Sequence, residues 1–461
     1  MTKENKKFYT TLVRICIPII IQNTITNLVN LIDNFMVSSV GTDAMAGVSV
    51  INQCVLVFNL CLFGIVSGVG IFGAQFYGKR DYEGLRDTLR IKLIITGITG
   101  ILGILIFVFA GDNIIMKFLH DSSNSDVGNI DDTFNYAKEY LNIILWGFIP
   151  FAISQAYVST LRETEETMVP MIASSVAVIT NTIINYLLIY GKFGMPHLGA
   201  KGAAIGTIIS KYIEAIIVIG WAHLHVKDNP YIKGLYRSFK VSTGLLKDVI
   251  KKGTPLVLNE TLWAAAQATL TRWYAQRGLV VLGAMTISST ITNLFLNVTI
   301  SFGSTIAIIV GGMLGANKLQ EAKHTGYRLI KISTLCSLVI GMGMYFIAPL
   351  FILLYKAQEL EVKQLAISFM RVAAICMPIN GFLNAAYFTI RSGGKTVITF
   401  LFDSVYLWVI SIPLVSLLVT KTDMNIVAIY ATCLSVDLIK CAIGWFILKK
   451  EIWLQNLVAD E

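Results

Sequence analysis

The feature that most constrains this chain is a succession of apolar runs, each long enough to cross a bilayer. A spanning helix needs about 20 apolar residues. Roughly twelve such runs are present, at 12–37, 47–73, 90–110, 134–159, 168–190, 202–222, 254–275, 284–310, 328–352, 364–390, 397–418 and 426–448. Only 14% of the 461 residues are charged, and mean hydropathy is +0.68, whereas a soluble domain carries about 25% charged residues. The long runs exclude a membrane β-barrel, whose strands alternate over about ten residues. The expected fold is therefore all-α and integral to the membrane.

The net charge of +9 first suggests a nucleic-acid partner, but its distribution points to topology instead. Basic residues gather before the first run (Lys3, Lys6, Lys7, Arg14) and after the second (Lys79, Arg80, Arg86, Arg90, Lys92). They recur between the sixth and seventh (Lys227, Lys233, Arg237, Lys240, Lys247, Lys251, Lys252) and after the last (Lys449, Lys450). This is the positive-inside pattern, with both termini cytoplasmic in a cell membrane. The basic start runs directly into a full-length span, unlike a cleaved leader. The seven cysteines fall inside the runs without a CxxC pair and read as packed thiols.

The chain repeats itself. A shift of 237 residues puts Pro18 on Pro255, Gly41 on Gly278, Ala46-Gly47 on Gly283-Ala284 and Gly78 on Gly315. Farther on, Pro150 pairs with Pro378 and Arg162 with Arg391. Six spans per half make a parallel repeat, an organisation of secondary transporters whose sites lie near the repeat interface. The expected divisions are a six-helix bundle at 1–222, a basic cytoplasmic linker at 223–252 and a second six-helix bundle at 253–461. Asn229-Pro230 and Gly234 interrupt the linker.

The first span carries a polar stripe. At 100° per residue, Gln22, Asn23, Thr26, Asn27, Asn30, Asp33 and Asn34 fall within about 140° of arc. Unmet polar groups in hydrocarbon cost several kcal/mol each, so the stripe must face other helices or a wet cavity. The amides read equally well as interhelical hydrogen-bonding groups. Asp33 reads as an ion or proton site. In the seventh span, Asn259, Glu260, Trp263, Gln267, Thr271 and Tyr274 form a similar arc, so Glu260, Trp263, Gln267 and Tyr274 join Asn30 and Asn34 as candidates for a substrate or second coupling site. Asp403 and Arg371 have no evident partner in sequence. Lys211 with Glu214, and Asp437 with Lys440, are spaced i,i+3 and are expected to pair.

Other signals carry less. "GVGIFG" (68–73) matches G-x-G-x-x-G but follows a membrane helix, so helix packing is expected rather than a dinucleotide site. The five histidines are scattered, and neither a P-loop nor a Ser/His/Asp or Cys/His constellation is visible. No catalytic residues, cofactor, nucleic acid or obligate protein partner is expected. The acidic segment 121–132 reads as a solvated loop.

Three stretches resemble one family. "VNLIDNFMVSSVGTDAMAGVSV" (29–50) is similar to the first-helix signature of the multidrug and toxic compound extrusion (MATE) transporters. "NTIINYLLIYGKFGMPHLGAKGAAIGTIIS" (181–210) resembles their helix 5–6 signature. "TIRSGGKTVITFLFDSVYLWVISIPL" (389–414) resembles the matching C-half segment, with Lys395 where members often carry Asp. The resemblance covers essentially the whole chain. It implies cation-coupled antiport of amphipathic, often cationic substrates, driven by H⁺ or Na⁺. It also implies an N-half ion site, onto which Asp33, Tyr140, Asn181 and Thr207 map. Asn185 stands where the family has a second Asp, leaving Asp33 as the one carboxylate of that set and favouring H⁺. Na⁺ at Asp33 would be the only metal. The alternative within the superfamily is a lipid-linked oligosaccharide flippase. The acidic interior stripes disfavour that reading, because a pyrophosphate calls for Lys and Arg.

Overall fold

A computed structural model describes residues 3–121, 129–352 and 359–459. The residues 122–128 of the acidic segment lie outside it. Among the described residues the chain forms twelve helical rods. In the first half these are α1 (Lys3–Ser38), α2 (Thr42–Lys79), α3 (Tyr82–Asp121), α4 (Ile130–Glu163), α5 (Met168–Tyr190) and α6 (Ala200–Leu224). In the second they are α7 (Thr243–Ala275), α8 (Leu279–Gly315), α9 (Leu319–Ile352), α10 (Leu360–Ser392), α11 (Thr396–Lys421) and α12 (Ile426–Lys449). A lipid-embedded backbone must satisfy its own N–H and C=O groups, which is why apolar runs of this length become helices.

The rods outrun the apolar segments that seeded them. At 40 residues, α3 is about 60 Å long, and it begins at Tyr82. Arg86, read between the second and third runs, is therefore helical, as are Arg90 and Lys92 at the start of the third. Eleven rods are long and apolar enough to cross a membrane. The exception, α7, carries Lys247, Asp248, Lys251 and Lys252 before its apolar part. Two rods are locally irregular. A single 3-10 turn, Leu145–Gly147, interrupts α4, and two π-helical segments, Leu401–Val405 and Leu407–Ser411, widen α11.

The punctuation seen in the repeat is structural. Pro18 and Pro255 lie inside α1 and α7, each removing one helical hydrogen bond. Gly41 and Gly278 stand at the α1–α2 and α7–α8 turns with φ of 146° and 122°, a region glycine enters without steric cost.

The chain divides into two compact units, Met1–Gly73 with Tyr82–Lys247, and Ala74–Asp81 with Asp248–Glu461. The 223–247 segment therefore packs with the first unit, where Arg86 and Arg90 bond the carbonyls of Tyr231, Gly234 and Leu235. The first core is built from residues such as Ile51, Leu62, Ile115, Ala152 and Ile189. The second uses Ala266, Met344, Met370, Val415 and Ile429.

The end of α2 belongs to the second unit and crosses α8 there. A Cβ on Gly78 would collide with the Gly312 carbonyl, and one on Gly315 with the Gln75 carbonyl. These positions are repeat partners, since 75 + 237 = 312 and 78 + 237 = 315. The segment after α12 seals the crossing. Trp453 is fully buried. The Gln75 amide donates to the Ser392 and Gln455 carbonyls, and its oxygen accepts from Leu457 N–H at 2.7 Å.

Candidate functional site

Five residues from four helices converge in the first unit. Asn181 and Asn185 are one turn apart on α5 and so share a face. The Asn185 amide donates to Asp33 Oδ1 of α1 at 2.8 Å. One end of the Asn181 amide lies 2.8 and 3.1 Å from the two Asp33 oxygens and the other 3.2 Å from Thr207 N of α6, so the amide is assigned with its nitrogen toward the carboxylate and its oxygen toward Thr207 N–H. That orientation satisfies both ends of the amide; the reverse would set its oxygen against the carboxylate. Tyr140 of α4 is buried against Thr207, within electrostatic reach of Asp33. Gly206 makes the approach possible, because a side chain there would strike the Asn185 oxygen.

The arrangement brings two N–H donors to one carboxylate. Charge-assisted bonds of this kind are stronger than neutral ones, and they occupy lone pairs that a bound cation would use.

The rest of the α1 stripe divides in two. Asn30 and Asn34 are exposed and lie outside the cluster. Gln22 is buried, donating to Ser174 at 2.7 Å and accepting from Arg162. Ser174 donates onward to Glu214 at 2.7 Å, and Lys211 lies 3.5 Å from Glu214 as its i,i+3 spacing predicts. Thr26 and Asn27 bond backbone carbonyls one turn back in α1. The stripe is thus partly interhelical bonding, partly cluster and partly exposed face.

The second unit builds a related but different centre. Asn259, the repeat partner of Gln22 (22 + 237 = 259), donates to Asp403 Oδ2 at 3.1 Å and accepts from Ser404 N–H. Lys440 of α12 donates to Asp403 Oδ1 at 2.6 Å. This corrects the expectation that Lys440 would pair with Asp437. The long-range carboxylate on α11, absent from any local reading, takes the ammonium instead. Glu260 is half-buried beside Asn259, within electrostatic reach of Arg391 and Asp403. Trp263 and Gln267 are exposed on α7. Tyr274, read on the same arc, is instead in the core, 3% exposed and edge-on to Tyr430. Arg371 lies over the Tyr345 ring at 5.2 Å.

Sequence reasoning missed one buried ion pair entirely. Lys92 of α3 lies 2.6 Å from Glu163 of α4 and also donates to Thr160. The missed signal was "GVGIFG": a Cβ on Gly70 or Gly73 would press into the Glu163 carboxylate. Those glycines clear space for a helix contact, as the packing reading of that motif held.

Comparison with known proteins follows the same outline. The MatE family profile matches residues 18–187 and 255–417, once in each half. Among curated proteins, "Probable multidrug resistance protein NorM" of Thermotoga maritima is 20% identical over 90% of this chain and 86% of its own length. The protein of the same name in Bacillus licheniformis is 24% identical over 98% of this chain and 97% of its own. "Probable multidrug resistance protein YoeA" of Bacillus subtilis is 22% identical, covering 90% and 88%. Among solved structures, a MATE protein in complex with MaL6 superposes with a TM-score of 0.86 at 20% identity, covering 96% of each chain. An outward-facing multidrug resistance MATE transporter gives 0.85 at 19% identity, covering 97% of each. The chain belongs to the MatE family: it is a multi-pass membrane transporter of the MATE type and not an enzyme.

Proposed function

We propose that this transporter is a proton-coupled antiporter that exports amphipathic, often cationic compounds from the cytoplasm, with both termini cytoplasmic in the cell membrane. The observation that carries the choice of ion is the Asn185 amide, whose nitrogen donates to Asp33 Oδ1 at 2.8 Å where the family resemblance implies a second carboxylate. A Na⁺ site is built from oxygen ligands turned toward a common point. Here Asn185 turns its nitrogen toward the carboxylate, and the Asn181 amide is fully satisfied when it does the same. A proton needs no such shell. Its arrival at Asp33 would cost at least one of the amide bonds and so loosen α1 from α5.

Such a change drives transport only if the two states of the cycle bind the proton with different affinity. The Asp33 cluster supplies that difference, since its amide bonds depend on how α1 lies against α5 and α6. The exposed Asn30 and Asn34 of α1 are the polar groups offered to the transported compound in the first unit. The names of the relatives, multidrug resistance proteins, support the substrate class.

The test is flux of a fluorescent organic cation in proteoliposomes, driven separately by a pH gradient and by a Na⁺ gradient. Flux should follow the pH gradient and be lost in Asp33→Asn. Flux that follows Na⁺ alone would overturn the choice of ion. No flux with either gradient, in folded protein, would redirect attention to a lipid-linked substrate.

A further inference from the structure

The Asp403–Lys440 pair is more than an ion pair. The Lys440 ammonium lies 5.3 Å from the centre of the Phe402 ring and 5.8 Å from that of Tyr406. With Asp403 Oδ1 at 2.6 Å, it is held by one carboxylate and flanked by two aromatic faces. That is the chemistry of a cation-binding pocket. The pocket is built in depth. Asn259 fixes the second Asp403 oxygen, and Ser404 fixes Asn259, its N–H donating to the side-chain oxygen and its hydroxyl to the main-chain oxygen. Tyr387 meets the same amide at 3.3 Å. Phe402 and Asp403 lie within the first π-helical segment of α11, and such widened turns recur at functional sites. Gly444, one turn beyond Lys440, leaves room for Phe402, whose ring would stand 3.0 Å from a Cβ there. Lys440 is 6% exposed. Asp437 on the same helix, Glu260 beside Asn259, and Arg391 complete the charged surroundings.

We infer that Lys440 is a tethered cation that occupies the cation position at Asp403, so that the second unit keeps its carboxylate neutralised without taking up an ion from solution. A covalently held ammonium competes at an effective concentration in the millimolar range or above. It also gains from the two rings, which Na⁺ in a hydrated shell would not. The two units then divide the work: Asp33, met by neutral amides, is left to exchange its ion, while Asp403 is permanently answered. This goes beyond the antiport reading and rests on it only for that transport consequence.

Removing the tether should open the site. The measurement is the thermal midpoint of the purified full-length protein as Na⁺ replaces N-methyl-D-glucamine at constant ionic strength. Lys440→Ala should gain a saturable upward shift with Na⁺ beyond any wild-type response, since a ligand that binds only the folded state stabilises it. Ethylammonium should raise the midpoint of the same variant and leave the wild type unmoved. The double variant Lys440→Ala/Asp403→Asn should lose both responses. Lys440→Met, which keeps the apolar stem, is the second variant should Lys440→Ala fold poorly. A folded Lys440 variant that responds to Na⁺ and to ethylammonium as the wild type does would overturn the inference. Absence of flux in wild-type proteoliposomes would count against the antiport reading alone and would leave these midpoints to decide the tether.

Discussion

Glu214 of α6 and Lys440 of α12 stand at the same position of the two repeats and carry opposite charges. The helices begin at Ala200 and Ile426, an offset of 226, and 214 + 226 = 440. The same offset places Lys211 on Asp437, so an i,i+3 pair appears in one half as Lys then Glu and in the other as Asp then Lys. Their surroundings follow. Glu214 accepts from Ser174, which is tied to Gln22 of α1, while Lys440 donates to Asp403, which is tied to Asn259 of α7. One scaffold thus carries an anion in one half where it carries a cation in the other.

Asp33→Asn should uncouple transport. It removes the charge to which Asn185 donates and against which Asn181 packs. Coupling free energies of 1–3 kcal/mol correspond to roughly 5–150-fold. Gradient-driven flux should fall within that range, while the variant keeps its thermal midpoint within a few degrees.

Asn185→Asp should convert the cluster toward Na⁺. It exchanges a donor for a second carboxylate within reach of Asp33. A gain of about 1.4 kcal/mol in Na⁺ binding is tenfold, and isothermal titration or a Na⁺-dependent midpoint would show it. An unchanged Na⁺ response would mean that the site is too tightly packed against Gly206 to admit an ion.

The Lys92–Glu163 pair should be costly to break and cheap to replace. Its side chains are 0% and 7% exposed. Removing one member of a buried pair costs about 3–5 kcal/mol, whereas apolar or neutral replacement of both is often tolerated. Lys92→Met or Glu163→Gln alone should lower the midpoint clearly, and the double variant should recover most of the loss.

The α2–α8 crossing should reject any side chain. Gly78→Ala and Gly315→Ala each drive a methyl into a backbone carbonyl, and overpacking of this kind costs about 1–3 kcal/mol. Expression and thermal midpoint should drop for both, and to similar extents, because the two contacts are repeat equivalents.

Glu165, in the turn between α4 and α5, predicts a pH dependence. Burial holds its carboxyl above the ordinary glutamate value of 4.5, against the opposing pull of Arg14. The folded state therefore binds its proton more tightly than the unfolded chain does. Stability from this group declines as pH rises from about 4.5 toward the raised value. Glu165→Gln should flatten that part of the midpoint-versus-pH curve.

The helical class, the rod order and the repeat were legible because lipid leaves so few choices to the backbone. Asp33 was also reachable from the polar arc on α1, whereas Asn181, Asn185 and Thr207 were reached only through the resemblance of 181–210 to a family signature. Angles along one helix, however, do not say how deep a residue sits, and Tyr274 shared the arc of Gln267 yet lies in the core. Lys440 was misassigned because local spacing offered Asp437, and Asp403 is 37 residues away. The partner of Lys92 was not legible because Glu163 lies 71 residues away, on another helix.

The seal on the α2–α8 crossing also sets a schedule. Gln75 is fully buried, yet the main-chain groups of Gln455 and Leu457 that it bonds lie 380 and 382 residues later in the chain. Chains emerge during synthesis at about 5–20 residues per second, so the end of α2 waits roughly 20–75 s for its last hydrogen bonds. Throughout that interval the Gln75 amide lacks these partners, and residues 455–457 complete a contact begun by the second helix.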